Sequence, residues 1–274
     1  MEPKIYDLDV GSSPLKVDEF IGYINAQDYS PATRRAYMDS ILDYERHGFR
    51  WVSLEAEQDY RDKLVAEGKK GNTVNLRLNA LNVYNRWAGL PPIPQIRVNE
   101  DPFAVNGMEL EDYHKLIDGL LHDGKYNWYV IVKLLASTGM RIGEARKVTF
   151  GDLRRGSCQV YGKGGKPRTV FFTHTLQESL WFYTKDKPDE ELIIPYSPGY
   201  IRSFLLRSKK RYGLTCALHP HEFRHLFARQ MYDATHDEAL IKGLLGHENL
   251  KTTSRYIKKT QREGLKLYAR AQNW

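Results

Sequence analysis

Apolar positions set the helical outline of the chain before any motif is considered. Val17, Phe20, Ile21 and Ile24 recur three and four residues apart, the spacing of one buried helix face. Ser30-Pro31 supplies an N-cap followed by a proline at the first helical position, and Tyr37, Ile41 and Tyr44 then line one side of a second helix. A third helix is predicted from about residue 55 to 68. Asn72 is the expected cap of a fourth, whose inner face carries Val74, Leu78 and Leu81. These elements make a four-helix domain over residues 1–90. Its outer faces are expected to carry Arg34, Arg35, Lys63, Lys69, Lys70, Arg77 and Arg86.

The run Gly89-Leu90-Pro91-Pro92-Ile93-Pro94 cannot continue a helix, because three prolines fix φ and remove backbone donors. Residues 91–107 therefore read as an interdomain linker, semi-rigid at its start. The second domain spans 108–274. Leu110, Tyr113, Ile117 and Leu120 predict a surface helix, and residues 128–137 a buried one despite Lys133. Strands are predicted at 147–150, 159–161 and 168–172, divided by turn signals at Gly151-Asp152 and across 162–167. Beyond them the pattern is helical to the end. The expected fold is mainly α with a small antiparallel β-sheet.

Composition narrows the function classes. Hydrophobic residues are 41% and charged residues 27%, ordinary for a globular protein. The formal charge of +7 and pI of about 9.2 favour a polyanionic partner, of which nucleic acid is the commonest. Cys158 and Cys216 are far apart and form no C-x-x-C, which argues against a disulfide framework or a cysteine zinc site and fits a cytoplasmic location. Met1-Glu2-Pro3-Lys4 lacks the apolar core of a secretory signal, and no apolar run is long enough to span a membrane.

Four segments carry chemistry. Thr138-Gly139-Met140-Arg141-Ile142-Gly143-Glu144 places an arginine after a glycine turn, with Glu144 opening the next helix and partnering an arginine. Gly162-Lys163-Gly164-Gly165-Lys166 is a hairpin tip whose lysines can reach a phosphate backbone; it is not a Walker loop. His221-Glu222-Phe223-Arg224-His225 reads in two ways. As H-E-x-x-H it is a zinc-protease signature, with both histidines on one helix face and Glu222 activating water. As H-x-x-R it pairs His221 with Arg224 on a helix opened by Pro220. In Leu245-Gly246-His247, the glycine reads as a helix C-cap, and Tyr256 follows nine residues after His247.

Together, in this order and spacing, T-G-x-R-x-x-E, G-K-G-x-K, H-x-x-R-H and L-G-H-x(8)-Y resemble the tyrosine recombinase (phage integrase) family. The resemblance is strong over about residues 108–260. The helical domain before it matches the family's core-binding domain in size and position only. The resemblance implies an α+β catalytic domain with catalytic residues Arg141, Lys163, His221, Arg224, His247 and the nucleophile Tyr256.

The chemistry fits these residue types. Arginines offer forked, permanently charged donors for the non-bridging oxygens of a phosphodiester and for its five-coordinate transition state. Tyrosine is a weak nucleophile while neutral, so the arginine clamp and a base such as His221 would favour its deprotonation. Lys163, in competition with Lys166, is the candidate acid for the departing 5′ oxygen. His247 can hydrogen-bond the same phosphate. His225 is expected to support the fold or orient Arg224, and Glu222 to be an incidental helix residue.

A zinc protease would need a third ligand from residues such as His236, Glu238 or His247. It would also leave Arg141, the hairpin and Tyr256 without roles and set a permanent cation, Arg224, within the ligand turn. A DNA-binding protein without catalysis and a type IB topoisomerase are the other rivals. The resemblance implies double-stranded DNA as substrate, a homotetramer on paired recombination sites and no metal or cofactor. An accessory DNA-bending protein is a further partner class. A short C-terminal helix around Leu265, Leu267 and Tyr268 is expected to dock onto a neighbouring protomer. The basic run Arg207 to Arg211 is a candidate DNA-backbone contact.

Overall fold

The computed structural model describes residues 12–97, 107–161 and 167–246. They fall into two compact units, within residues 1–100 and 101–274. The fold is mostly helical, with two small antiparallel sheets.

The first unit contains α1 (Val17–Ala26), α2 (Pro31–Arg46), α3 (Leu54–Ala66) and α4 (Gly71–Ala88). The apolar stripes meet as expected: Phe20, Ile24, Ile41, Tyr44, Val74, Leu78 and Leu81 are buried in one core. Ser30 caps α2 by accepting the Thr33 N–H at 3.1 Å. Asn72 does not cap α4, which begins at Gly71 after an extended Lys70. A short ribbon, β1 (Ser13–Pro14) against β2 (Trp51–Val52), has too few residues for a period-2 signal. Two buried tyrosines serve it: Tyr84 Oη accepts the Lys16 N–H at 2.9 Å, and Tyr44 Oη donates to Trp51 O at 2.8 Å.

Two of the predicted surface cations are braces. Arg77 is half-buried and reaches Ser40 Oγ at 3.1 Å and Asp43 at 3.5 Å. Arg34 donates to Gln27 O at 3.0 Å. Arg35, Lys63, Lys69, Lys70 and Arg86 are exposed.

The segment read as a linker, semi-rigid at its start, is bound to α4 over residues 91–96. Four asparagines on α4 face it. Asn82 exchanges two hydrogen bonds with the backbone of Ile93 at 2.8 and 2.9 Å, and Asn75 does the same with Ile96 at 3.0 Å. Asn85 donates to Pro91 O at 2.9 Å, and Asn79 accepts from Gln95. A primary amide presents the same donor–acceptor pair as a peptide group, so the helix face substitutes for a strand partner. Ile93 is thereby pinned into the core. Residues 98–106 lie outside the described residues.

The second unit is built on α6 (Tyr126–Thr138), which packs against α5 (Leu110–His122), α9 (His174–Thr184) and α11 (Pro220–Thr235). Its buried residues run all round the helix, from Trp128 to Thr138, as expected for a central element. The sheet is the two-stranded hairpin β3 (Ser157–Tyr161) and β4 (Pro167–Phe171), in the register Gln159↔Thr169. The strand expected at 147–150 is absent. Thr149 forms a single bridge to Leu192 and caps α8 (Phe150–Arg155) instead. Its hydroxyl accepts the Asp152 N–H at 3.1 Å, and the Asp152 carboxylate accepts the Thr149 N–H at 3.0 Å. This capping box turns the Gly151-Asp152 turn signal into a first helical turn. The short helix α7 (Ile142–Ala145), α10 (Pro198–Arg211) and α12 (Glu238–Leu245) complete the described elements. Among the described residues no helix is long and apolar enough to cross a membrane.

Candidate active site

The site forms where the C-terminal end of α6, the turn to α7, the first turns of α11 and the end of α12 meet. Gly139 ends α6 with φ +60°, which only glycine adopts without strain, and Gly246 ends α12 with φ +64°. Space demands glycine at position 139 as well. A Cβ there would lie 2.6 Å from Phe227 Cδ1 and 2.8 Å from Leu245 Cδ2.

Arg141 follows this turn as the N-cap of α7. Glu144 holds it twice: one carboxylate oxygen accepts the Arg141 backbone N–H at 2.9 Å, the other its Nη1 at 3.0 Å. The Arg141 side chain stays 34% exposed, whereas Glu144 is 7% exposed. Glu144 thus opens the next helix and orients the arginine, as read from the sequence.

Arg224 differs from a simple phosphate clamp. Its side chain is fully buried on α11. Nη1 donates to Gly139 O at 2.6 Å, and Nη2 donates to Leu245 O at 2.7 Å. Both acceptors are carbonyls at helix C-termini, where intrahelical partners run out and the helix dipole is negative. One guanidinium therefore ties the turn before Arg141 to the turn before His247.

His221 sits one position inside α11, with its ring at the surface. Partial burial lowers its pKa below the ordinary histidine value, and the charges of His219, Arg224 and Arg141 lower it further. Arg141, His221 and Arg224 are thus brought together. Lys163, Lys166, His247, Tyr256 and the expected C-terminal helix lie outside the described residues.

Glu222 is not incidental. It is buried on α11 and accepts the Met108 N–H at 3.1 Å, while its other oxygen faces His219 Nε2 at 3.3 Å. Buried Arg229 donates to Met108 O, so both backbone polar groups of Met108 are held by one helix. Burial raises the Glu222 pKa, opposed by the Met108 hydrogen bond and the His219 and Arg229 charges. The zinc reading needed this carboxylate beside a metal-bound water. It latches the start of the domain instead. Among the described residues no group of three or more His, Cys, Asp or Glu is placed to hold a metal ion.

The pattern of Arg141 on a glycine turn, beside His221 and Arg224 on a neighbouring helix, can be set against known proteins. The model of the phage integrase family matches residues 108–263, more than half of the chain. The chain belongs to this family. Among curated relatives, tyrosine recombinase XerC of Lactobacillus leichmannii is 30% identical over 272 residues, covering 87% of this chain and 92% of the relative. Among solved structures, lambda integrase (75–356) as a dimer bound to a COC′ core site aligns with a TM-score of 0.71 at 19% identity, over 90% of this chain and 95% of that one. A lambda integrase tetramer bound to a Holliday junction aligns at 0.68 and 20% identity, over 88% of this chain and 75% of that one.

Within this integrase-family fold, sequence reasoning missed Arg168. It stands on β4 with its side chain 11% exposed and donates from Nη2 to Glu144 at 2.7 Å. Its position opposite Val160 in a short hairpin gave no sign of the long-range partner. The thiols of Cys158 and Cys216 are pushed up by burial to about 11 and about 12, which favours the protonated form of both. In the basic run of α10, Arg207 and Lys210 are exposed, while Arg211 pairs with Asp123 at 2.8 Å.

Proposed function

We propose that this chain is a site-specific DNA recombinase that breaks and rejoins strands through a 3′-phosphotyrosine intermediate. The observation that carries the reading is the convergence of partly exposed Arg141 and exposed His221 over the buried charge of Arg224, at the mouth of the turn leading to His247. Arg141 grips the non-bridging oxygens of the scissile phosphate and takes up charge as the five-coordinate transition state forms. Arg224 adds its charge from beneath and holds the two turns in register. His221, with its lowered pKa, is neutral at cellular pH and so able to accept the Tyr256 proton. The Tyr256 oxygen then attacks phosphorus, the bond to the 5′ oxygen breaks, and Lys163 protonates the leaving oxygen. His247 supports the same phosphate. One phosphodiester replaces another, so the reverse attack by a 5′ hydroxyl rejoins the strand without ATP.

Four protomers acting on two sites through a Holliday junction would complete the exchange, with exposed cations such as Arg207 and Lys210 on the DNA backbone and the C-terminal helix docked on a neighbour. The reaction would take place in the cytoplasm. The residues named supply the acid, base and nucleophile without a metal.

The test is covalent trapping. The full chain incubated with labelled duplex should form an adduct stable to denaturation, and this should persist in EDTA. Tyr256→Phe should abolish the adduct and leave duplex binding intact. Adduct formation by that variant would refute the nucleophile, and loss of adduct in EDTA would refute metal-independence.

A further inference from the structure

We infer that Arg168 is a positioning residue for the phosphate grip, acting with Glu144 to keep one net positive charge at the Arg141 turn. The inference rests on the proposed role of Arg141 as a phosphate ligand.

Arg168 Nη2 donates to Glu144 Oε2 at 2.7 Å, the same oxygen that accepts the Arg141 backbone N–H at 2.9 Å. Glu144 Oε1 takes the Arg141 Nη1 at 3.0 Å. One carboxylate thus lies between two guanidiniums, and only that of Arg141 reaches the surface appreciably, at 34% exposed against 11% for Arg168. Without Arg168, Arg141 and Glu144 would form a neutral pair in a poorly solvated site. The carboxylate would then compete with an incoming phosphate for Arg141. The second cation divides the pull of Glu144. Two cations and one anion leave one net positive charge at this turn, beside that of Arg224 beneath it, where low solvation makes it count.

A second contact ties Arg168 to the other half of the site. A Cβ at Gly246 would fall 2.6 Å from both Cδ and Nε of Arg168. The Arg168 stem therefore occupies the space that the missing side chain leaves, directly before His247. Among the described residues Arg168 Nε and Nη1 have no hydrogen-bond partner. Within those residues the ion pair with Glu144 is the guanidinium's polar contact, and the stem adds packing against Gly246.

The experiment follows the rate of covalent adduct formation by the full chain. The probe is a labelled duplex recovered by the wild-type chain from a random-sequence library. Arg168→Met should slow adduct formation by roughly tenfold to a hundredfold, less than the about hundredfold to thousandfold lost when a transition-state donor is removed outright, because Arg141 stays in place but is drawn to Glu144. Duplex affinity should change far less than the rate. Arg168→Lys should restore most of the rate. Arg168→Met with Glu144→Gln, which returns the turn to one net positive charge, should react faster than Arg168→Met alone. A purely structural role would make the two losses accumulate. A wild-type rate for Arg168→Met, or a double variant slower than Arg168→Met, overturns the inference. Should Arg168→Met fail to fold, Arg168→Gln with and without Glu144→Gln poses the same question. A wild-type rate for Arg141→Ala would overturn the phosphate-grip reading itself, whatever position 168 does.

Discussion

Glu57 offers a direct test of how this fold handles charge. It lies on α3 with 1% of its surface exposed. Burial raises its pKa from 4.5 to about 7, partly opposed by the Asn85 amide, which donates to Oε2 at 3.0 Å. Glu57 Oε1 and Asn85 Oδ1 have no hydrogen-bond partner among the described residues. The folded first unit thus retains a proton that the unfolded chain releases near pH 4.5. Stability must fall as pH rises between the two values and level off above about 7. At about 1.4 kcal/mol per unit, the shift from 4.5 to about 7 corresponds to a loss of about 3 kcal/mol. Glu57→Gln removes the charge and keeps an oxygen for the Asn85 amide. It should be nearly neutral at pH 4.5 and stabilise the unit by up to about 3 kcal/mol at pH 8. The assay is hydrogen-exchange protection of the α3 and α4 amides in the full chain at both pH values. The variant should gain up to roughly two orders of magnitude in protection at pH 8. An equal pH dependence in the two proteins, or a variant less protected at pH 8, would refute the reasoning.

Two further outcomes probe the site. Gly139→Ala places a Cβ against Phe227 and Leu245 in a left-handed backbone; it should destabilise the second unit by about 1–2 kcal/mol, read by chemical denaturation, and slow adduct formation. If variant and wild type coincide in both, the turn does not position Arg141. Because the pKa of His221 is lowered, adduct formation should be flat above the ordinary histidine value of about 6.5 and decline only below it. An acid limb centred above that value, absent in His221→Asn, would contradict the assigned base.

Helices were legible wherever one face is apolar at helical spacing, because that periodicity is local. Phe20, Ile24, Ile41, Val74 and Leu78 reached the core on pattern alone. So did the glycine-ended turns at Gly139 and Gly246, whose backbone demands are written in residue type. What misled was ambiguity between local signals. Residues 147–150 have β-prone side chains, yet the Thr149–Asp152 capping box decided the outcome. The asparagines of α4 carry no local sign of their partners, because their pairing with residues 91–96 depends on where the chain returns.

The candidate site divides the same way. Ordered motifs named Arg141, His221 and Arg224, since each residue type carries its own chemistry. Their surroundings come from contacts across long stretches of chain. Arg224 reaches Gly139, 85 residues away, Glu222 reaches Met108, 114 residues away, and Arg168 crosses 24 residues to Glu144. A carboxylate or guanidinium has the same formula whether it meets water, a carbonyl or another charge. Residue order therefore determined which groups are present, and only the packing of α6, α11, α12 and the β3–β4 hairpin decided which face substrate, which are buried as braces, and what net charge a phosphate would meet.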